Sequence, residues 1–156
     1  MVVDAGNKSD LYQTVNFARQ YHMNIDNTLD RIIVNRPFTI QQLKKLIAAQ
    51  VPKDIQQNQL KAIIILGLLD LFDDPNIEKR EAKRVIERIL KSIQGLSERV
   101  LVITSIQEGK YANLVASSFE KHITLNKTRN NRLSVTLNKK PSVTLTEREL
   151  KIINQR

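Results

Sequence analysis

Residues 6–10, Gly-Asn-Lys-Ser-Asp, bring a glycine, a lysine and a hydroxyl close together, and residues 70–74 supply three carboxylates, Asp70, Asp73 and Asp74. These are the residue types that handle phosphate and magnesium. A G-x-x-x-x-G-K-[ST] loop wraps phosphates in backbone N–H groups; its Lys adds charge, its hydroxyl holds the metal, and a nearby strand contributes an acid. The spacing here does not fit that chemistry. Gly6-Asn7-Lys8-Ser9 contains no Gly-Lys-Ser run, and Gly109-Lys110 is followed by Tyr111. No metal site is expected either. His22 and His122 stand far apart in sequence with no second ligand at metal spacing, and the acidic cluster reads as a bias on the N-terminus of the helix that follows it. Ser117-Ser118 lies outside any Gly-x-Ser-x-Gly context, which argues against a hydrolase.

Charge offers a second chemistry. The formal net charge is +9, and from Lys121 to Arg156 nine Lys or Arg face only Glu147 and Glu149, an excess of +7. A basic, cysteine-free chain points to nucleic acid or another polyanion. Lys127, Arg129 and Arg132 flank the turn TRNN, and Lys139 and Lys140 precede Pro141. Two basic hairpin tips of this kind could grip phosphates without reading bases. Their alternative role is to guard exposed strand edges against pairing. No aromatic residue follows Phe119, which weighs against base stacking by the tail. A second basic surface lies on a helix over residues 77–96. It carries Lys79, Arg80, Lys83, Arg84, Arg88 and Lys91 among Glu78, Glu81 and Glu87, with Glu87 and Lys91 spaced as an i, i+4 ion pair. Lys79, Arg80, Lys83 and Arg84 are the phosphate-contact candidates there; a solvated face is the competing explanation.

The elements that must position these residues follow from periodicity. MVVD ends a short strand, Ser9 or Asp10 caps a helix to about Tyr21, and Leu11, Tyr12, Val15, Ala18 and Tyr21 mark its apolar face. HMNIDN reads as a connector and Ile32 to Val34 as a strand ended by Pro37. Thr39 opens a helix with the stripe Ile40, Leu43, Leu46 and Ile47, which Val51-Pro52 is expected to close. Ala62 to Leu66 and VLVIT read as parallel strands buried on both faces. In the long helix Ala82, Val85, Ile86, Ile89, Leu90 and Ile93 mark the core side and Gly95 the stop. GKYANLVASSF predicts one more short helix. HITLNK, RLSVTLN and SVTLT then alternate with the period of strands, and TERELKII predicts a last helical turn. The expectation is an α/β fold with a mostly parallel sheet over residues 1–120 and an antiparallel hairpin extension over 121–156, within one domain. Without Cys, disulfides are excluded and a reducing cytoplasm is expected. No apolar run approaches the ~18 residues of a membrane span, and the early acid in MVVDAGNKSD does not suit a signal peptide.

In this order of elements the chain resembles the ATPase core of the RecA/RadA recombinases, most nearly their archaeal and eukaryotic branch. ARQYHMNIDNTLDRIIVNRPFTIQQLKKLI carries the most specific part of the likeness. KAIIILGLLDLF is similar to the Walker B strand, RVLVITSIQ to the strand that ends in a polar sensor, and ITLNKTRNNRLSVTLNKKPSVTLTERELKI to the closing hairpin and final strand. The resemblance implies a three-layer RecA-like core. It also implies where acids should stand, and they do not: Gly67 takes the Walker B position with Asp70 three residues beyond the strand tip. Gly6 takes the place of the acid that activates water, Asp4 lies on the strand itself, and the sensor position reads Ser105-Ile106 with Gln107 one step late. The segment after that strand, SIQEGKYA, is short for the family's second DNA loop.

The expectation is therefore a recombinase-like protein that is not an enzyme and needs no cofactor. It would bind DNA through backbone phosphates or assist a RadA-type recombinase or another repair protein, without hydrolysing ATP. The alternative is a pseudo-ATPase adaptor that acts by docking on a protein.

Overall fold

The computed structural model describes residues 1–127 and 133–139. The chain divides into two compact units, Met1–Ala112 and Asn113–Arg156. In the first unit four short strands, β1 (Val2–Asp4), β2 (Val34–Asn35), β3 (Ala62–Leu66) and β4 (Leu101–Thr104), form a sheet in the order β2-β1-β3-β4. Every neighbouring pair is parallel. Helices intervene as the alternating pattern requires: α1 (Leu11–Gln20) and α2 (Ile25–Leu29) before β2, a helical run from α3 (Ile40–Lys45) to α4 (Val51–Asn58) before β3, and α5 (Lys79–Ser97) before β4. In the second unit β5 (Lys121–Lys127) and β6 (Leu133–Lys139) pair antiparallel as a hairpin. The α/β class, the parallel sheet and an antiparallel hairpin after it match the expectation; the hairpin forms a two-stranded sheet of its own. The segments SVTLT and TERELKII lie outside the described residues.

Local chemistry explains where the helices begin. The Asp10 carboxylate accepts from the N–H groups of Tyr12 and Gln13, so Asp10 caps α1. Thr39 Oγ1 accepts from the Gln42 N–H while Gln42 Oε1 accepts from the Phe38 N–H, a reciprocal cap that fixes the start of α3. The core side of α5 is the one periodicity marks: Ala82, Val85, Ile86, Ile89, Leu90 and Ile93 are all buried. It packs against α3 and β4.

Several expectations fail for identifiable reasons. HMNIDN is not a plain connector, because Asn24 caps the short helix α2. Strand β2 is displaced to Val34–Asn35, where it pairs with Val2 and Val3. Val51-Pro52 does not close the helix. A π-helical turn over Leu46–Gln50 inserts one extra residue, with the Val51 N–H bonded back to Leu46 O, and Pro52 falls just after this widened turn, at the start of α4. Along α1 only Ala18 is buried, while Leu11, Tyr12 and Tyr21 are exposed; the helix packs on α2, which is too short to cover such a stripe.

Among the described residues the sheet is covered on one face only. Val3, Ile63 and Ile65 are fully buried, whereas Ile64, Leu101 and Ile103, on the opposite face, are 36%, 61% and 49% exposed. Strands send alternate side chains to opposite faces, and the helices of the core bury only one of them.

Gly95 does not stop α5 either; the helix continues to Ser97. A Cβ at Gly95 would meet nothing within 4 Å. Gly95→Ala is therefore expected to stabilise the protein by about 0.5–1 kcal/mol, the difference in helix propensity. A rise in the urea midpoint at unchanged slope checks it.

Candidate functional site

The sheet order places β1 between β2 and β3, so the chain leaves β1 for one side and later returns on the other. In open parallel sheets the crevice outside the carboxyl ends of the strands at such a switch point is where ligands bind. Here it is formed by the ends of β1 and β3. The N–H groups of Ala5 and Gly6 both donate to Leu66 O, and Gly67 N–H donates to Ser105 Oγ at the end of β4.

Side chains of the protein itself fill this edge. The Asp4 side chain is completely buried. It accepts from the backbone N–H groups of Lys8 (2.7 Å) and Ser9 (3.0 Å), from the Ser9 hydroxyl, and from Arg36 Nε at 3.2 Å. Asn7 adopts a left-handed conformation, φ 49°, which turns the loop so that the two following N–H groups meet that carboxylate. Arg36 Nη2 also donates to Ser9 Oγ at 3.0 Å.

Asp70 corrects the sequence reading most directly. Its position three residues beyond Gly67 suggests a carboxylate past the strand tip. Instead a tight 3-10 turn over Asp70–Phe72, with the Asp70 N–H donating to Gly67 O, folds the side chain back. A Cβ on Gly67 would lie 2.7 Å from Asp70 Oδ2 and 2.9 Å from Gly6 Cα, and a Cβ on Gly6 would collide with the same carboxylate oxygen. The two glycines thus leave the space that the Asp70 carboxylate occupies. Lys8 Nζ pairs with it at 2.5 Å, so Asp70 is engaged with Lys8 rather than serving chiefly to bias the next helix. Asp74 instead accepts from the N–H and side-chain amide of Asn76.

Burial pushes the Asp4 carboxyl upward, but the hydrogen bonds from the Ser9 hydroxyl, the Lys8 and Ser9 N–H groups and Arg36 outweigh it and hold the carboxyl below the ordinary aspartate value. A group whose folded value is depressed contributes stability above the ordinary aspartate range and loses it as pH falls through the lowered value. Asp4→Asn has no such group. Its urea midpoint is expected to decline less than the parent's between about pH 6 and about pH 3; parallel declines would show that Asp4 does not contribute this titration.

The basic residues separate into two rows on α5. Lys83 pairs with Glu87 at 3.9 Å, rather than Glu87 with Lys91, and the Tyr111 hydroxyl donates to Lys79 O. Arg80 and Arg84 lie on the other row and continue through Arg88 and Lys91. This row and α3 line two adjoining depressions that share Gln41, Lys44 and Arg88, together the α3–α5 groove: one is completed by Lys45, Ala48, Lys91 and Ser92, the other by Arg80, Arg84, Val85, Glu78 and Glu81. Lys45 and the four α5 cations are exposed, Lys44 is half-buried, and none of the six makes an ion pair among the described residues. Glu78 and Glu81 also line the groove, at its Arg80 end, and Glu81 is held by the Gln41 amide at 2.8 Å.

Of the hairpin candidates, Lys127 and Lys139 are the end residues of β5 and β6, with Lys139 paired opposite Lys121. Arg129, Arg132 and Lys140 lie outside the described residues. Ser117 and Ser118 both donate their hydroxyls to Leu114 O, a local cap on the short helix α6 (Ala112–Ala116). Among the described residues no group of three or more His, Cys, Asp or Glu is placed to hold a metal ion, and no helix is long and apolar enough to cross a membrane.

The row Arg80, Arg84, Arg88 is legible from its four-residue spacing. Lys44 and Lys45 are not, because nothing local says that the end of α3 will face α5.

Fold and site together define an α/β protein with a parallel four-stranded sheet, a switch-point edge filled by its own ion pairs and a separate cationic groove. Compared with protein families and curated proteins, the chain matches no family model and no curated protein.

Proposed function

We propose that the protein is a non-catalytic relative of the RecA/RadA recombinases, built on a three-layer RecA-like core, that binds DNA through its phosphates and assists DNA repair without hydrolysing ATP. The observation that carries the binding is the α3–α5 groove. Six cations from two helices line two adjoining depressions that share Lys44 and Arg88; among the described residues the lining includes two acids, Glu78 and Glu81, and no carboxylate engages any of the six. Such an array is what backbone recognition requires. The basic hairpin, with Lys127, Arg129, Arg132, Lys139 and Lys140, extends the same chemistry in sequence. The catalytic half of the reading is supported by the switch-point edge. Asp4 is committed to its loop and Arg36, and Asp70 to Lys8, so both carboxylates near the strand ends already have protein partners.

Fluorescence anisotropy with labelled DNA at about 50 mM salt tests the binding, which is expected to weaken steeply by about 200 mM. Absence of binding at the lower salt would overturn it. Phosphate release from ATP with magnesium and DNA present tests the other half; sustained turnover would contradict it.

One observation favours the adaptor reading: the exposed apolar face of Ile64, Leu101 and Ile103. Leu101→Gln with Ile103→Gln, which adds no charge, should then abolish association with a recombinase while leaving DNA affinity unchanged.

A further inference from the structure

We infer that the α3–α5 groove takes the backbone of duplex DNA in preference to a single strand. This rests on the DNA-binding reading and names the form of DNA for that site. Arg80, Arg84, Arg88 and Lys91 follow one another along α5 at spacings of four, four and three residues. At about 1.5 Å per residue the row is about 16 Å long, with a cation roughly every 6 Å. The row is rigid, because the opposite side of α5 buries seven apolar side chains, from Ala82 to Leu96. Lys44 and Lys45 come from a second helix packed against it.

Cations fixed in spacing by a packed helix gain most from a ligand whose charges are already in place, since only their own side chains then have to be ordered on binding. Duplex DNA meets that condition, with about one charge per 1.7 Å of axis; a single strand carries fewer charges per unit length and must be straightened. Proteins that favour single strands recover this cost by stacking bases on aromatic rings. No residue lining the groove is aromatic. Tyr111, near the other row of α5, has its hydroxyl engaged by Lys79 O and the Lys110 ammonium over its ring at 4.7 Å. Glu78 and Glu81 place the repulsive end of the groove at Arg80, so the backbone runs from Arg84 toward Lys91, opposite Lys44 and Lys45.

The test uses the full chain with a labelled duplex of about 20 base pairs and one of its strands alone, titrated between about 50 and 200 mM salt. The duplex is expected to bind at least about tenfold more tightly. Its log–log salt slope should be near −4, about −0.9 for each of four to five phosphates contacted. The variant Arg84→Gln, Arg88→Gln, Lys91→Gln should lose at least about tenfold in duplex affinity, and its slope should become shallower by about 3 units. All three residues are exposed, so the fold should survive, and an unchanged circular dichroism spectrum and melting temperature would show that it has. Equal or tighter binding of the single strand overturns the inference while leaving the DNA-binding reading intact. Duplex binding that the triple variant does not alter removes the groove as its site. If neither form binds at the lower salt, the DNA-binding reading itself fails.

Discussion

Replacing Asp4 with Ala is expected to lower the stability of the protein by about 3 kcal/mol, a large share of the roughly 5–15 kcal/mol typical of a domain. The carboxylate is wholly buried and collects four donors: two backbone N–H groups, the Ser9 hydroxyl and Arg36. Alanine leaves those donors without their acceptor and leaves a void where the carboxylate was. Asp4→Asn separates shape from charge. It keeps an acceptor for part of the set and gives up the Arg36 pair, so about 1–2 kcal/mol is expected. Urea unfolding measures both. Equal, small losses in the two variants would mean that the loop 5–9 is solvated in place of Asp4 and that the carboxylate does not organise this edge.

Gly67→Ala is expected to cost about 2–4 kcal/mol. Gly67 has φ +63°, where an L residue is strained, and its Cβ would lie 2.9 Å from the Gly6 Cα as well as against Asp70. The side chain of Asp70 can swing away; the backbone of Gly6 cannot, because its N–H is tied to Leu66 O. Gly6→Ala makes the informative contrast. Its nearest neighbours are the Asp70 carboxylate and the flexible end of Lys8, both able to move. It should cost less, mostly the Lys8–Asp70 pair, which is partly exposed and worth about 1 kcal/mol or less. Combining Asp70→Ala with each glycine variant should rescue Gly6→Ala far more than Gly67→Ala. The reverse order would show that side-chain crowding, rather than the backbone, makes glycine necessary at position 67.

These two residues also show what can be read from the chain and what cannot. The five strand residues Ala62 to Leu66 and the buried face of α5 follow from local pattern, because burial there repeats with the period of the element. The glycine at the strand tip is visible as well, but its purpose is not. Gly6 and Gly67 are 61 positions apart in sequence, and only the pairing of β1 with β3 shows that together they leave room for one carboxylate. Pro52 misleads for a related reason: a proline breaks a regular helix, and the π-helical turn that accommodates it has no local signature. The apolar run of β3 suggests cover on both faces, yet hydrophobicity records only that a side chain avoids water, not whether a neighbour in the same chain shields it. Of the four helix candidates Lys79, Arg80, Lys83 and Arg84, only Arg80 and Arg84 line the cationic groove; their four-residue spacing with Arg88 puts these three on one face, whereas the wall carrying Lys44 and Lys45 is purely tertiary.

Lysine acetylation footprinting on the full chain, with and without duplex DNA at low salt, shows whether the α3–α5 groove holds the DNA. Lys44, Lys45 and Lys91 are expected to be shielded by DNA, while Lys8, paired with Asp70 at the sheet edge, keeps its reactivity. Shielding of Lys8 with the groove lysines unchanged would rule the groove out, moving the site to the strand ends and returning the switch-point crevice to the centre of the chemistry.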